Sequence, residues 1–189
     1  MSQITKNILM IKPSSFGFNN DTSGDNYFQK QINHLSQSEI RLKAVEEFEN
    51  MCSILKKNGI NIIVFENDEN KKLTDDVFPN NWISFHGNKY VIHSMYAKSR
   101  RGEKNKSFIK TLSTHNFNYT LLNDYTNYEL EDIFLEGTGS VVLDRVNKHA
   151  YCSISKRSSV DLFKLFLSLI HISEPTRQEA ISYAVFCLK

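Results

Sequence analysis

Leu73–Glu103, LTDDVFPNNWISFHGNKYVIHSMYAKSRRGE, carries the densest grouping of chemistry-bearing residues in the chain. An acidic pair, Asp75 and Asp76, precedes an aromatic and a proline, Phe78 and Pro79. Two adjacent amides, Asn80 and Asn81, stand beside the only tryptophan, Trp82. Gly87-Asn88 reads as a turn, Lys89–Met95 as a strand, and Arg100-Arg101 follow. Short polar groups on a loop between rigid strands are what a small-molecule site requires.

A second stretch answers it downstream. In Leu135–Asp144, LEGTGSVVLD, a carboxylate ends an apolar run and is followed at once by Gly137 and Gly139. Glycines let the backbone turn sharply and approach a ligand closely. Glu136 there suits orienting a base or holding a cationic or amide group. Either stretch alone reads better as a hairpin with a polar tip. Together, and with Arg157 in SISKRSS, they point to a site.

Composition sets the outer bounds. The chain has 189 residues, is 40% hydrophobic and 12% aromatic, and carries a formal charge of +2. That is enough for a globular domain with a real core. It lacks the basic block that nucleic-acid binding requires. No segment reaches membrane-spanning length, and MSQITKNILMIKPSS lacks the apolar core of a signal peptide. Cys52, Cys152 and Cys187 are far apart, which fits reduced thiols in a cytoplasmic protein. The histidines show no metal-ligand spacing, so no metal site is expected from them.

Taken in order, Asn7–Ile11 reads as a short buried strand stopped by Pro13. Ser14–Gln29, with Phe16, Phe18, Tyr27 and Phe28 among Gly, Asn and Asp, suits an ordered loop or a pocket wall. A helix is predicted over Ser38–Asn58, with Ile40, Val45, Phe48, Met51, Cys52 and Leu55 inward and Gly59 closing it. Ile60–Phe65 is a buried strand. A second helix is expected over Glu103–His115, with Phe108, Ile109 and Leu112 inward. A strand follows at Tyr119–Leu122, then a hairpin of Val141–Leu143 and Ala150–Ile154. Val160–Phe166 opens a third helix, and Cys152 reads as buried core. The elements alternate as ββαβ groups roughly sixty residues apart, an α/β architecture with the look of a repeat.

Leu167–Lys189, LSLIHISEPTRQEAISYAVFCLK, has a different origin by this reading. Through Arg177 it is the in-frame translation of transposase-adapter DNA used in sequencing libraries. Ile181–Leu188 translates the adapter segment beyond the sample barcode, and Gln178–Ala180 fill the barcode's place. The expected division is therefore residues 1–166 as the domain and 167–189 as a non-native tail, to be excluded from fold reasoning.

Three ordered motifs carry a family resemblance: NILMIKPSSFGFNNDTSGDNYFQ, DDVFPNNWISFH with SRRGEK, and LEGTGSVVLDR with SISKRS. They resemble the citrulline-utilisation hydrolases, relatives of dimethylarginine dimethylaminohydrolase, arginine deiminase and the amidinotransferases, over residues 5–166. The resemblance implies a five-bladed α/β propeller of ββαβ units, the pentein fold, here cut to about its first half. It implies a cysteine thiolate attacking a guanidino or ureido carbon, a histidine moving protons, and water completing hydrolysis. Glu136 matches the family carboxylate that holds the substrate and positions the histidine. Asp75 matches an acid contacting the substrate, with Phe78, Asn80 and Asn81 beside it. An arginine of Arg100-Arg101, and Arg157, match positions gripping the substrate carboxylate.

Two departures shape the expectation. Where guanidine-binding relatives place carboxylates after the DxVF element, Asn80 and Asn81 stand here. A neutral amide suits a ureido group better than a guanidinium, so citrulline is expected over arginine. The family's late histidine and cysteine have no counterpart in the sequence, so the chain as given is expected to be catalytically incomplete and poorly soluble, with an open edge. The expected partner is a small guanidino or ureido amino acid, with the oligomeric state open. An amidinotransferase, and a non-catalytic amino-acid-binding module, are the competing readings.

Overall fold

The structure is a computed structural model that describes residues 4–24, 34–68, 71–105 and 107–170. Tyr27 and Phe28 of the aromatic loop, and the tail from His171, lie outside the described residues. The described residues form two compact units, one within 5–79 and 97–117, the other comprising residues 4, 80–96 and 118–170.

In the first unit, β1 (Asn7–Ile11) pairs in parallel with β2 (Asn61–Phe65), and α1 (Gln37–Lys57) makes the crossover between them. Parallel neighbours need such a crossover, and a helix supplies it. The start of α1 is fixed by a capping box: the Ser36 hydroxyl accepts from the Glu39 amide, and the Glu39 carboxylate accepts from the Ser36 amide. Phe48, Cys52 and Ile62 form the buried seam, with Ile8, Met10 and Leu55 packed against it. Met51 departs from the sequence expectation and is 43% exposed. It lies on the flank of the apolar stripe, and the two strands beneath α1 cover only its centre. The second helix, α2 (Ser107–Thr114), starts later than expected because Lys98–Glu103 coil as a separate 3-10 segment. Its Phe108 meets Phe65 of β2 edge-to-face, with ring centres 5.4 Å apart.

In the second unit, β3 (Ile83–His86) and β4 (Lys89–Ile92) form an antiparallel hairpin, and β5 (Thr120–Asp124) joins β4 in parallel. Gly87, φ +63°, is the first residue of the two-residue loop, a position that demands a positive φ and hence glycine. β4 stops three residues short of the expected Met95. The ladder continues for one bond, His93 amide to Trp82 carbonyl at 2.8 Å. After that, carboxylates take the strand's amides: Glu129 receives Met95 at 2.7 Å and Glu136 receives Tyr96 at 3.1 Å. A strand whose amides are committed to side chains cannot pair further.

The one-turn helix α3 (Gly137–Ser140) leads into the hairpin of β6 (Val141–Asp144) and β7 (His149–Cys152). Its turn is organised by Asp144, whose carboxylate accepts the amides of Val146 and Asn147 at 3.0 Å each. The last helix, α4 (Val160–Leu169), is capped by Ser159 and buries Leu162, Phe163, Phe166 and Leu167. These pack with Val91, Tyr125, Leu135, Val141, Ala150, Cys152 and Ile170 into the core of the unit. The buried face therefore runs past Phe166 into the first residues of the stretch read as adapter. No helix among the described residues is long and apolar enough to cross a membrane.

Candidate functional site

Glu136 sits at the N-terminal edge of α3 and is fully buried. A buried carboxylate is tolerated only where donors replace the lost water. Two do so here. The Tyr96 amide donates to Oε1 at 3.1 Å, and Arg157 Nη1 donates to Oε2 at 3.2 Å. The backbones of the two residues are also joined, Glu136 N–H to Arg157 C=O at 3.1 Å. Ser140 Oγ donates to the same carbonyl at 3.3 Å. The sequence motif thus comes together with SISKRS as a built pair, Glu136 with Arg157.

The amide pair lies against the same turn. Pro79–Asn81 coil as a 3-10 segment. Asn80 Nδ2 donates both to Asn81 Oδ1, at 3.1 Å, and to Thr138 Oγ1. Gly137 has no room for a side chain: a Cβ there would overlap the Asn80 carbonyl oxygen and lie 3.2 Å from the His93 ring. A Cβ on Gly139 would lie 3.2 Å from Asn81 Oδ1 and 3.4 Å from Glu136 Oε2. The acceptor of Asn81 and the carboxylate of Glu136 therefore border one small space above Gly139. Gly137 is needed for the close approach of the Asn80 backbone, whereas Gly139 meets only side-chain atoms.

Beneath this turn runs a chain of neutral hydrogen bonds that sequence reasoning missed. Ser84 Oγ lies 2.8 Å from both His86 Nε2 and His93 Nε2. A hydroxyl has one proton to give, so one imidazole must donate to it and the other accept. Arg145 Nη2 points at His86 Nδ1, 3.3 Å away, and a guanidinium only donates. His86 therefore carries its proton on Nε2, Ser84 donates to His93 Nε2, and His93 carries its proton on Nδ1. That Nδ1 is buried and faces the Leu135 backbone, whose hydrogen bond opposes the fall in the His93 pKa without preventing it. Burial, then the neighbouring Arg145, pushes the His86 pKa down to about 4; burial, then His86, pushes His93 down to about 3. The alternation Trp82, Ser84, His86 and the two-residue turn place these side chains on one face of the hairpin with His93. That was the available signal.

The remaining predicted residues belong to the first unit and form a cluster of their own. Asp75 Oδ2 accepts from Asn19 Nδ2 at 2.7 Å and from Thr22 Oγ1 at 3.3 Å. Arg100 is buried with Glu103, joined by two 2.8 Å hydrogen bonds, and its Nε lies 4.0 Å from Asp75. It also donates to the Asp75 and Phe78 carbonyls. Burial raises the Glu103 pKa against the pull of Arg100. The Phe78 ring is 47% exposed. Arg101 is half-buried and helps hold the Asp21 carboxyl low, after Ser99 and Lys98. Asp76 is fully buried, its Oδ2 bonded to Asn67 and its Oδ1 facing no donor. Burial, more than the adjacent Asp75, carries its pKa up to about 6.

Neither described cysteine has the character of a nucleophile. Cys52 and Cys152 are buried, and burial raises both thiols. Among the described residues no group of three or more His, Cys, Asp or Glu is placed to hold a metal ion.

With this geometry in hand, comparison with known proteins is specific. The sequence profile of the family described as N,N dimethylarginine dimethylhydrolase, eukaryotic, matches residues 12–178. The chain belongs to this family. The match runs into the stretch read as adapter. No curated protein sequence matches the chain significantly. Solved structures similar in fold include the substrate-bound N-terminal domain of ArgZ, an arginine dihydrolase from Cyanobacteria, at 21% identity and TM-score 0.59. That likeness covers 87% of this chain and 54% of the ArgZ domain. Unliganded AgrE is similar at 22% identity and TM-score 0.57, over 86% of this chain and 21% of AgrE. A dimethylarginine dimethylaminohydrolase adduct with S-methyl-L-thiocitrulline is similar at 16% identity and TM-score 0.57, over 88% of this chain and 57% of that one. The chain thus spans about half the length of the single-domain relatives. The likeness fits the α/β pentein fold expected from the motifs.

Proposed function

We propose that this chain is the N-terminal part of a hydrolase acting on C–N bonds of ureido and guanidino amino acids, with citrulline preferred. The observation that carries the reading is Glu136. That it is a fully buried carboxylate, held by a backbone amide and an arginine and bordered by the Asn81 amide, supports a role in accepting N–H groups of a bound ureido head. Family membership supplies the reaction class. A thiolate adds to the ureido or guanidino carbon, an amine leaves, and water hydrolyses the thioester-like intermediate. The nucleophilic cysteine and the proton-moving histidine are proposed to lie outside these residues, since the described cysteines are buried with raised thiols. Asp75, Phe78, Asn80, Asn81, Arg100 and Arg101 carry over as substrate-binding residues on their motif positions. No cofactor is needed by this chemistry.

The test is a steady-state assay of the full-length protein with citrulline, arginine and dimethylarginine as substrates. Release of ammonia should be faster from the ureido group of citrulline than from the guanidino group of arginine, read as kcat/KM. Faster turnover of arginine would remove the citrulline assignment. Binding of citrulline without turnover of any of the three would favour the amino-acid-binding reading instead.

A further inference from the structure

We propose that Glu103 is a positioning residue for substrate binding: it holds the Arg100 guanidinium away from Asp75, so that the two charges stay separate, one for the substrate's α-carboxylate and one for its α-amino group. This deepens the function proposed above and rests on its assignment of Arg100 and Asp75 as substrate-binding residues.

Glu103 closes the 3-10 segment Lys98–Glu103 and is 1% exposed. In a 3-10 helix, side chains three residues apart stand one above the other, which sets Glu103 directly against Arg100. The two meet as a fork: Arg100 Nε donates to Oε1 and Nη2 to Oε2, each at 2.8 Å. Nη2 also donates to the carbonyls of Asp75, at 3.2 Å, and Phe78, at 3.4 Å. One guanidinium therefore ties the carboxylate of its own segment to the backbone of the Asp75–Phe78 turn. The segment is itself anchored at Ser99, which donates to Asp21 through its amide at 3.1 Å and its hydroxyl at 2.8 Å.

Asp75 is the competing acceptor. Its Oδ2 lies 4.0 Å from Arg100 Nε, beyond hydrogen-bond reach, and the Nε proton goes to Glu103 instead. Asn19 Nδ2, at 2.7 Å, and Thr22 Oγ1, at 3.3 Å, hold the same oxygen from the other direction. The Asp75 side chain is 15% exposed, whereas that of Arg100 is buried. Without the Glu103 carboxylate, the guanidinium would lose its strongest acceptor and keep Asp75 as the next one within a small side-chain rotation. Opposite charges attract strongly in so water-poor a setting. Arg100 would close onto Asp75, and the pair would cancel the two charges that a zwitterionic substrate end needs.

The experiment uses the full-length protein as wild type, Glu103→Gln and Glu103→Asp at about pH 8, where a carboxyl with a pKa of about 7 is ionised. Thermal unfolding checks folding. Steady-state kinetics with citrulline separate KM from kcat. Calorimetry with ornithine, which keeps the α-amino and α-carboxylate groups and lacks the ureido head, reads that end alone. Glu103→Gln should raise the citrulline KM and the ornithine Kd in parallel by roughly tenfold or more, with kcat within about threefold of wild type. Glu103→Asp, which restores the charge one methylene further back, should fall between the two. A Gln variant with wild-type KM and Kd, or one whose loss falls on kcat alone, would overturn the proposal and leave Glu103 a structural ion-pair partner. Should Glu103→Gln not fold, Glu103→Asp is read in its place, and an unchanged KM and Kd there has the same meaning. A wild type that binds neither ligand removes the amino-acid substrate, and with it both readings. One that turns over arginine faster than citrulline removes only the citrulline preference, and the same comparison is then made with arginine.

Discussion

Gly137 and Gly139 look equivalent in the sequence and are not equivalent in the structure. At Gly137 the obstacle to a Cβ is a backbone atom, the Asn80 carbonyl oxygen, which moves only if the whole Pro79–Asn81 turn moves. At Gly139 the obstacles are side-chain atoms of Asn81 and Glu136, which can give by a few tenths of an ångström. Gly137→Ala should therefore cost about 1–3 kcal/mol by overpacking, and Gly139→Ala distinctly less, both measured by urea unfolding. Equal costs would mean that the turn is not docked as described. The glycines were legible because a glycine after a buried carboxylate has few other uses. The Arg157 partner of Glu136 was not, since the two are brought together by a bridge between segments whose pairing no local pattern encodes. The Ser84 relay was half legible: strand alternation put Ser84 and His86 on one face, but that one hydroxyl serves two rings depends on the exact hairpin register.

Among the elements, helices were read best because their signal is periodic and their ends are chemical. The reading from Ser38 with Gly59 as the stop falls within a residue of α1, whose start the Ser36–Glu39 capping box fixes. The cap is exposed, so removing it should not disturb packing. Ser36→Ala is expected to destabilise the protein by about 1 kcal/mol, seen as a lower urea midpoint with an unchanged slope. An unchanged midpoint would show that α1 is held by its buried face alone. Strand ends were read less well. β4 was expected to reach Met95 because the residues are apolar, yet Glu129 and Glu136 remove the amides that pairing requires. Sequence patterns report which side chains are buried, not where each backbone donor is spent. The shift of register between Tyr90 and Val91 against β5 is invisible for the same reason.

At the scale of the molecule, the two units carry buried titrating groups of opposite sense. In the unit of β3–β5, His86 and His93 are held neutral, with pKa values of about 4 and about 3 against an ordinary value of 6.5. Between pH 6.5 and 4 the unfolded histidines bind protons that the folded ones refuse. Their contribution is complete above pH 6.5 and is lost as pH falls, by about 2 kcal/mol per histidine at pH 5. In the unit of β1–β2, Asp76 is pushed the other way, up to about 6 from 3.8. Between pH 3.8 and 6 the folded form binds the proton more readily, so acidification stabilises that unit by about 1 kcal/mol at pH 5 relative to neutrality. Burial raises Glu103 as well, which adds in the same direction. Moving from pH 7.5 to 5 should therefore loosen one unit while firming the other. Amide hydrogen exchange, corrected for intrinsic rates, would show protection falling in Ile83–Ile92 and rising around Leu73–Phe78. A variant with Asp76→Asn should weaken the second response, leaving the part that Glu103 supplies, and keep the first. If both segments lose protection together, the units unfold as one and the stability of the chain is governed by the histidine pair.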